Sequence, residues 1–232
     1  MNALAIDTSS YQVSVCIFSG EKCLELQAEG FRSASRLASF TETALKAMKM
    51  EAKDLDIVGV GKGPGSFTGL RISASFVKGL CAGINRPLLA LPSFLALALE
   101  YSSVFDYVAV VTDARRGNIY AALYKRTSSG LRALVKESLL KGEDFFKRIK
   151  KGKIKENSLV FVGEAFKFYS EIKSYFPPAK VSSVSNLPRA VFFRFSLEKA
   201  LLRKRFTPLD RFEPLYLYAQ DAQVKLNPKR YA

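Results

Sequence analysis

Two aspartates stand at the ends of apolar runs: Asp7 closes the run that starts at Ala3, and Asp113 closes the run from Tyr107 to Thr112. Paired carboxylates at strand tips are an arrangement that holds Mg2+ through water beside nucleotide phosphates. Such turns need glycines so that backbone can approach the phosphates, yet Asp7 is followed by Thr8-Ser9-Ser10-Tyr11 and Asp113 by Ala114-Arg115-Arg116-Gly117. The arginine pair offers a salt bridge or an anion contact. The chain has no histidine. That excludes Ser-His-Asp and Cys-His nucleophiles, imidazole general bases and histidine-type zinc sites together. Its three cysteines, Cys16, Cys23 and Cys81, show no metal-type spacing.

The densest motif is Gly63-Pro64-Gly65-Ser66-Phe67-Thr68-Gly69-Leu70-Arg71. It is not a Walker loop, because no Gly-Lys-Ser/Thr follows at the required spacing, and neither register supplies the third glycine of a dinucleotide fingerprint. Pro64 fixes one φ, the glycines permit tight turns, and Ser66 or Thr68 can cap a following helix. Free N–H groups at that helix start would suit an anion, or the run simply ends a strand and begins a helix. Both readings stand on the residues alone.

The elements that must carry these residues follow from periodicity. Strands are predicted from Ala3, over Val13 to Ser19 and over Lys22 to Ala28. Leu37, Phe40, Ala44, Leu45 and Met48 form one helical stripe after a polar start at Ser33 or Ser35. Then come a strand at Ile57 to Val60, a helix from about Thr68 to Gly83, a strand at Leu88 to Leu91 and a helix from Pro92-Ser93 through Leu99. The second helix is apolar on more than one face: Leu70, Ala74, Val77 and Cys81 make one stripe, and Ile72, Phe76 and Leu80 another. It is either fully buried or half buried and half in an interface.

After Asp113 the pattern repeats. Ile119 opens a strand six residues on, as Val13 does after Asp7, and Thr127 to Gly130 turns it back into Leu131 to Glu137. Gly142 to Ile149, Leu159 to Val162 and Ala165 to Tyr175 then supply helix, strand and helix, followed by a late helix over Leu187 to Arg203. A duplicated strand-strand-strand-helix-strand-helix unit with a carboxylate at each first strand tip predicts an α/β fold of the actin/Hsp70/sugar-kinase (ASKHA, RNase H-like) type. Its two subdomains are 1–103 and 104–232, the second reduced, with the final segment from Pro214 packing back on the first. Where such enzymes place paired glycines on the adenosine side, this chain offers Gly163-Glu164.

The whole-chain composition is compatible with that fold and adds a bias. Forty-eight per cent hydrophobic residues is enough for a real core, and a formal charge of +15 with pI near 9.8 favours polyanions or simply a lysine-rich solvated surface. Lys141, Lys147, Arg148, Lys150, Lys151, Lys153 and Lys155 face only Glu143 and Asp144 between positions 141 and 155. No leader pattern stands at Met1 and no run of eighteen apolar residues occurs, which predicts a cytoplasmic protein with no membrane partner.

Ala5-Ile6-Asp7-Thr8-Ser9, the glycine run through Arg71, Asp113-Ala114-Arg115-Arg116-Gly117 and Pro214-Leu215-Tyr216-Leu217 occur in the order that marks the TsaB (YeaZ) family, which this sequence closely resembles. The resemblance implies a non-catalytic subunit in the formation of threonylcarbamoyladenosine in tRNAs that read codons beginning with adenine. It implies a heterodimer with the catalytic paralogue TsaD, which it scaffolds and activates, with the ATPase TsaE joining the pair. A homodimer forms when the subunit is alone, and tRNA is met through the complex. No cofactor is implied for the isolated chain, ATP and metal belonging to TsaD and TsaE. Asp7, Thr8, Ser9 and Asp113 would then be vestiges of a nucleotide site. The implied partner surface uses Leu37, Phe40, Thr41 and Ala44 on the first helix, and Phe67, Arg71, Ala74, Ser75 and Lys78 on the second. Related sequences carry a histidine near the start of the first helix, where this chain has Ser35 and Arg36, so no role for that side chain transfers. Peptidase chemistry, an older label for such chains, would need a Ser-Lys pair, and no residue pattern marks one. The competing readings are a small kinase-like ATPase that uses Asp7 and Asp113, and a direct tRNA-binding module that uses Lys141 to Lys155.

Overall fold

In a computed structural model, which describes residues 1–30 and 33–218, the first half builds one five-stranded sheet. Its strands are β1 (Asn2–Asp7), β2 (Gln12–Ser19), β3 (Lys22–Glu29), β4 (Ile57–Gly61) and β5 (Leu88–Leu91), with helices α1 (Leu37–Ala47), α2 (Phe67–Ile84) and α3 (Ser93–Tyr101) between or after them. The second half repeats the scheme with β6 (Tyr107–Arg115), β7 (Asn118–Thr127), β8 (Gly130–Leu140), α4 (Gly142–Lys151), β9 (Leu159–Gly163), α5 (Tyr169–Tyr175) and β10 (Lys180–Val181), and ends in α6 (Arg194–Arg203). The strand orders are β3-β2-β1-β4-β5 and β10-β9-β6-β7-β8, one order read in opposite directions. In each sheet the first three strands are antiparallel and the later two join in parallel. The expected duplicated ASKHA-like fold is what the chain forms, with the second unit's last strand cut to two residues.

β1 and β4 are buried on both faces, as expected of central strands in parallel pairing, and read as continuous apolar runs. On one side of the first sheet, Leu37, Ala44, Ala74, Val77 and Cys81 of α1 and α2 pack on Leu4, Ile6, Val15 and Val58. On the other, Ala190, Phe193, Leu197 and Ala200 pack on Ala3, Ala5, Phe18 and Ile57, so α6 and the 3-10 turn before it lie against the first sheet although they come from the late chain. α3 makes the reverse crossing: Phe94, Leu97 and Ala98 lie on Val108, Val110 and Val162 of the second sheet. The outer face of that sheet is covered by α4 and α5 through Phe145, Phe146, Ile149, Ile172 and Phe176. Burying a side chain such as Phe146 completely contributes about 2–3 kcal/mol.

Three expected helices change shape. The late helix is regular only from Arg194, because Leu187 precedes Pro188, and Ala190 N–H and Val191 N–H are drawn to Ser14 Oγ (2.8 Å) and Glu25 Oε1 (3.0 Å). Glu25 also accepts from Arg189 Nε and Nη2 at 3.1 and 2.7 Å, which ties this crossing segment to β3. Ala165 to Phe168 forms a 3-10 turn and only Tyr169 onward is α-helical, and α1 is likewise entered through a 3-10 turn at Ser33–Arg36. The segment from Pro214 contacts both halves as far as Tyr218; residues 219–232 of that expected final segment lie outside the described residues.

Candidate functional site

The turn after β1 is packed from above by the start of α2. Asp7 is 1% exposed, and its Oδ1 accepts from Ser9 N–H (2.9 Å) and Ser9 Oγ (2.7 Å). Its Oδ2 is buried without a hydrogen bond, facing Gly61 so closely that a Cβ there would stand 1.8 Å away. Burial pushes the Asp7 carboxyl above its ordinary value, opposed by the nearby Ser93 hydroxyl and by Ser9. Ser93 in turn accepts from Gly63 N–H at 3.0 Å, while its own N–H donates to Gly63 O at 2.9 Å.

The glycine run is bound to the turn after β1. Ser66 is the N-cap of α2, its Oγ accepting from Gly69 N–H at 3.2 Å, and Ser66 N–H donates to Ser9 O at 2.6 Å. Thr8 Oγ1 donates to Gly69 O at 2.8 Å. Ser66 N–H and Gly69 N–H are thus taken up by the chain itself. The contact is backbone on backbone: a Cβ at Gly65 would lie 1.9 Å from Ser9 O, and one at Gly69 would lie 2.0 Å from Thr8 O. Glycine is required here by close approach.

The second turn is open. Asp113 is exposed, its Oδ1 accepts from Arg115 N–H at 2.7 Å, and its N–H donates to Glu164 Oε2 at 2.9 Å. A bulge between Asp113 and Arg115 breaks the β6–β7 register, and Arg115, Arg116 and Gly117 all take positive φ. Asp113 thus holds Arg115 through its backbone N–H. Tyr218 then closes over the turn, its hydroxyl donating to Ala114 O (2.9 Å) and Arg115 O (3.2 Å) and its ring meeting Tyr120 edge-on. A few residues earlier the same segment is fixed to the first half through Leu215 N–H to Lys62 O at 2.7 Å and through the Tyr216 ring, whose centroid lies 5.1 Å from that of Phe67.

These residues do not fit a Mg-nucleotide. Asp7, Thr8 and Ser9 are all buried beneath the glycine run, Asp113 is engaged at a separate exposed turn, and no group of three or more His, Cys, Asp or Glu among the described residues could hold a metal. Two of the three cysteines are withdrawn from chemistry, Cys23 being the exposed one. Cys16 and Cys81 are buried, and burial pushes both thiols up, Cys81 to about 11, so neither offers a thiolate nucleophile.

The helix pair divides the nine proposed surface residues. Leu37, Thr41, Ala44 and Ala74 are buried against the first sheet. Phe40 and Lys78 are half-buried, whereas Phe67, Arg71 and Ser75 are exposed. The Arg71 guanidinium lies 5.2 Å over the Phe67 ring, and the half-buried Tyr216 ring meets Phe67 at a tilt of 49°, so the three form one cluster at the start of α2. Farther along, Gly79 and Gly83 look onto open space, where an added Cβ would meet nothing within 4 Å. Sequence reasoning missed Gly61, Ser93 and Tyr218. Gly61 and Ser93 were visible only as a strand end and a helix start, and no local signal links Tyr218 to a turn about a hundred positions earlier.

Fold and site together define a duplicated ASKHA-like chain whose first strand-tip turn is sealed by its own backbone. The chain belongs to the TsaB (YeaZ) family: a family model for TsaD, tRNA N6-adenosine threonylcarbamoyltransferase, matches residues 32–219, and a protein named TsaB from Buchnera aphidicola subsp. Schizaphis graminum is 30% identical over 71% of this chain and 79% of its own length. The tRNA threonylcarbamoyladenosine biosynthesis protein TsaB of Bacillus subtilis is 27% identical over 165 residues, 70% of this chain and 71% of its own length. The protein of the same name from Haemophilus influenzae is 24% identical over 97% of both chains. In shape, YeaZ from Pseudomonas aeruginosa superposes with a TM-score of 0.79 at 24% identity, covering 93% of this chain and 99% of that one.

Proposed function

We propose that this chain is a non-catalytic subunit in the biosynthesis of threonylcarbamoyladenosine in tRNA, working in the cytoplasm by docking on TsaD through the exposed side of α1 and α2. The observation that carries the reading is the sealed first turn: the carboxylate best placed for nucleotide chemistry is buried against Gly61 and Ser93, while the helix that seals it keeps an outward face of Arg71, Ser75, Gly79 and Gly83. A helix with small residues on its open face lets a second helix approach closely. In this reading ATP and metal are handled by TsaD and TsaE, tRNA is met as part of the complex, and the same helix face pairs two copies when the chain is alone. No helix among the described residues is long and apolar enough to cross a membrane.

The test is co-purification with TsaD. Ser75→Arg and Gly79→Arg place a long side chain on the open face without entering the core, so both variants are expected to fold, to lose TsaD and to run as monomers on size-exclusion chromatography. Retention of TsaD by both would remove this face from the interface.

A further inference from the structure

Charge is divided unequally between the two halves. Residues 1–103 hold 10 Lys/Arg against 9 Asp/Glu, and residues 104–232 hold 26 against 12. The excess positive charge therefore belongs to the late chain, where part of it lies on α6 against the first sheet and a dense run of it falls between Lys141 and Lys155. We propose that the second half carries an RNA-binding face, formed by the outward side of α4 and the residues that follow it, whose ligand is the sugar-phosphate backbone of a structured RNA. The choice of RNA among polyanions rests on the proposed function above; the face itself does not.

Its construction is visible in α4. Phe145, Phe146 and Ile149 point into the second core, which leaves every basic residue of the helix outside. Two of these are neutralised locally: Lys147 pairs with Glu143, and Lys150 pairs with Glu156 and donates to Tyr175 O at 2.9 Å. Arg148, Lys151, Lys153 and Lys155 are exposed and pair with no acid among the described residues. Favourable interaction with the helix C-terminus accounts for basic residues in the last turn, such as Lys151, and does not extend to Lys153 and Lys155 beyond it.

Beside Lys155 lies an open cleft of about 400 Å3 lined by Lys155, Glu156, Asn157, Ser158 and Pro178. Its one acid, Glu156, is the residue already held by Lys150. The rest of the lining supplies a cation, an amide and a hydroxyl, groups that contact phosphate and ribose without reading a base. An anionic membrane is the other polyanion to weigh. A surface-lying helix needs exposed apolar residues to enter the headgroup layer, and α4 buries all of its own.

The test is fluorescence anisotropy of a labelled tRNA transcript with the isolated chain at 50–200 mM NaCl. Neutralising four phosphate-contacting cations should flatten the dependence of log K on log salt by about 3. The variant carrying Arg148→Gln, Lys151→Gln, Lys153→Gln and Lys155→Gln is expected to show that change and to bind tenfold or more weakly at 100 mM. A first-half control with Lys22→Gln, Lys46→Gln, Lys49→Gln and Lys53→Gln should bind as wild type. Equal weakening in both variants, or none in the first, overturns the proposal, as does loss of binding to phosphatidylserine vesicles with RNA binding unchanged. The second-half variant should still capture TsaD. If TsaD is captured and RNA binding is unaffected, the RNA face alone falls; if RNA binding depends on the four cations but TsaD is never captured, the docking proposal alone falls.

Discussion

Asp7 and Asp113 occupy the same position in the two copies of the unit, at the tip of each sheet's first strand, yet one is 1% exposed and the other faces solvent. The difference lies in how the chain leaves the fourth strand of each copy. Gly61 ends β4, and the chain then lays Gly63 to Ser66 and the first turn of the 18-residue α2 onto Thr8 and Ser9. Gly163 ends β9, and Glu164 comes next with a side chain that reaches Asp113 N–H and a backbone N–H that bonds Val111 O at 2.8 Å. One copy spends its carboxylate inside the fold to seat α2, while the other keeps an open turn and covers it with Tyr218. Two copies of one strand order thus differ in a single turn, closed in the first and open in the second.

The largest expected effect comes from prying the closed turn apart. Gly69→Ala should destabilise the chain by about 3 kcal/mol in urea unfolding, because the new methyl meets the Thr8 carbonyl. That sign is the reverse of the usual gain for Gly→Ala within a helix. Gly79→Ala on the open face of the same helix should instead stabilise by up to about 1 kcal/mol. Next, at pH 5, Asp7→Ala should cost about 2 kcal/mol by leaving the Ser9 donors unmet, and Asp113→Ala about 0.5 kcal/mol or less. Equal costs for the two aspartates would erase the contrast between the turns.

The strap over the open turn should weigh less. Tyr218→Phe removes the hydroxyl shared by Ala114 O and Arg115 O and should cost about 1 kcal/mol in thermal unfolding. The smallest effect is a slope. The Asp7 carboxyl is raised above its ordinary value of 3.8 in the fold, so its stabilising contribution is complete below that value and is lost as pH rises through the folded one. Wild type should therefore lose ground to Asp7→Asn as pH increases from 4, and the difference should level off once the folded carboxyl is ionised. An unchanging difference would mean that Asp7 is not desolvated.

Much of this contrast was legible in the residues, and the rest had physical reasons to be hidden. Apolar periodicity placed both sheets, and the matched spacing after Asp7 and Asp113 exposed the duplication. Failure of the glycine run to match the Walker or the dinucleotide pattern removed those two loops and left open an anion at the helix start. The crossing of α6 onto the first sheet and of α3 onto the second was not readable, because an apolar helix face does not state which sheet it covers. Nor was the burial of Leu37, Thr41, Ala44 and Ala74, which share helices with exposed residues and differ from them by rotation about the helix axis, as Ala74 does from Arg71 and Ser75. The seal itself is a backbone contact between positions about 60 residues apart, and glycine at position 69 signals that something comes close without saying what.

The most direct test of the sealed turn is isothermal titration of the isolated chain with Mg-ATP, alongside Asp7→Asn. The account predicts no saturable heat at micromolar nucleotide for either protein. Micromolar binding by wild type that Asp7→Asn abolishes would contradict it, and would return this carboxylate to the nucleotide chemistry that its position at the strand tip suggests.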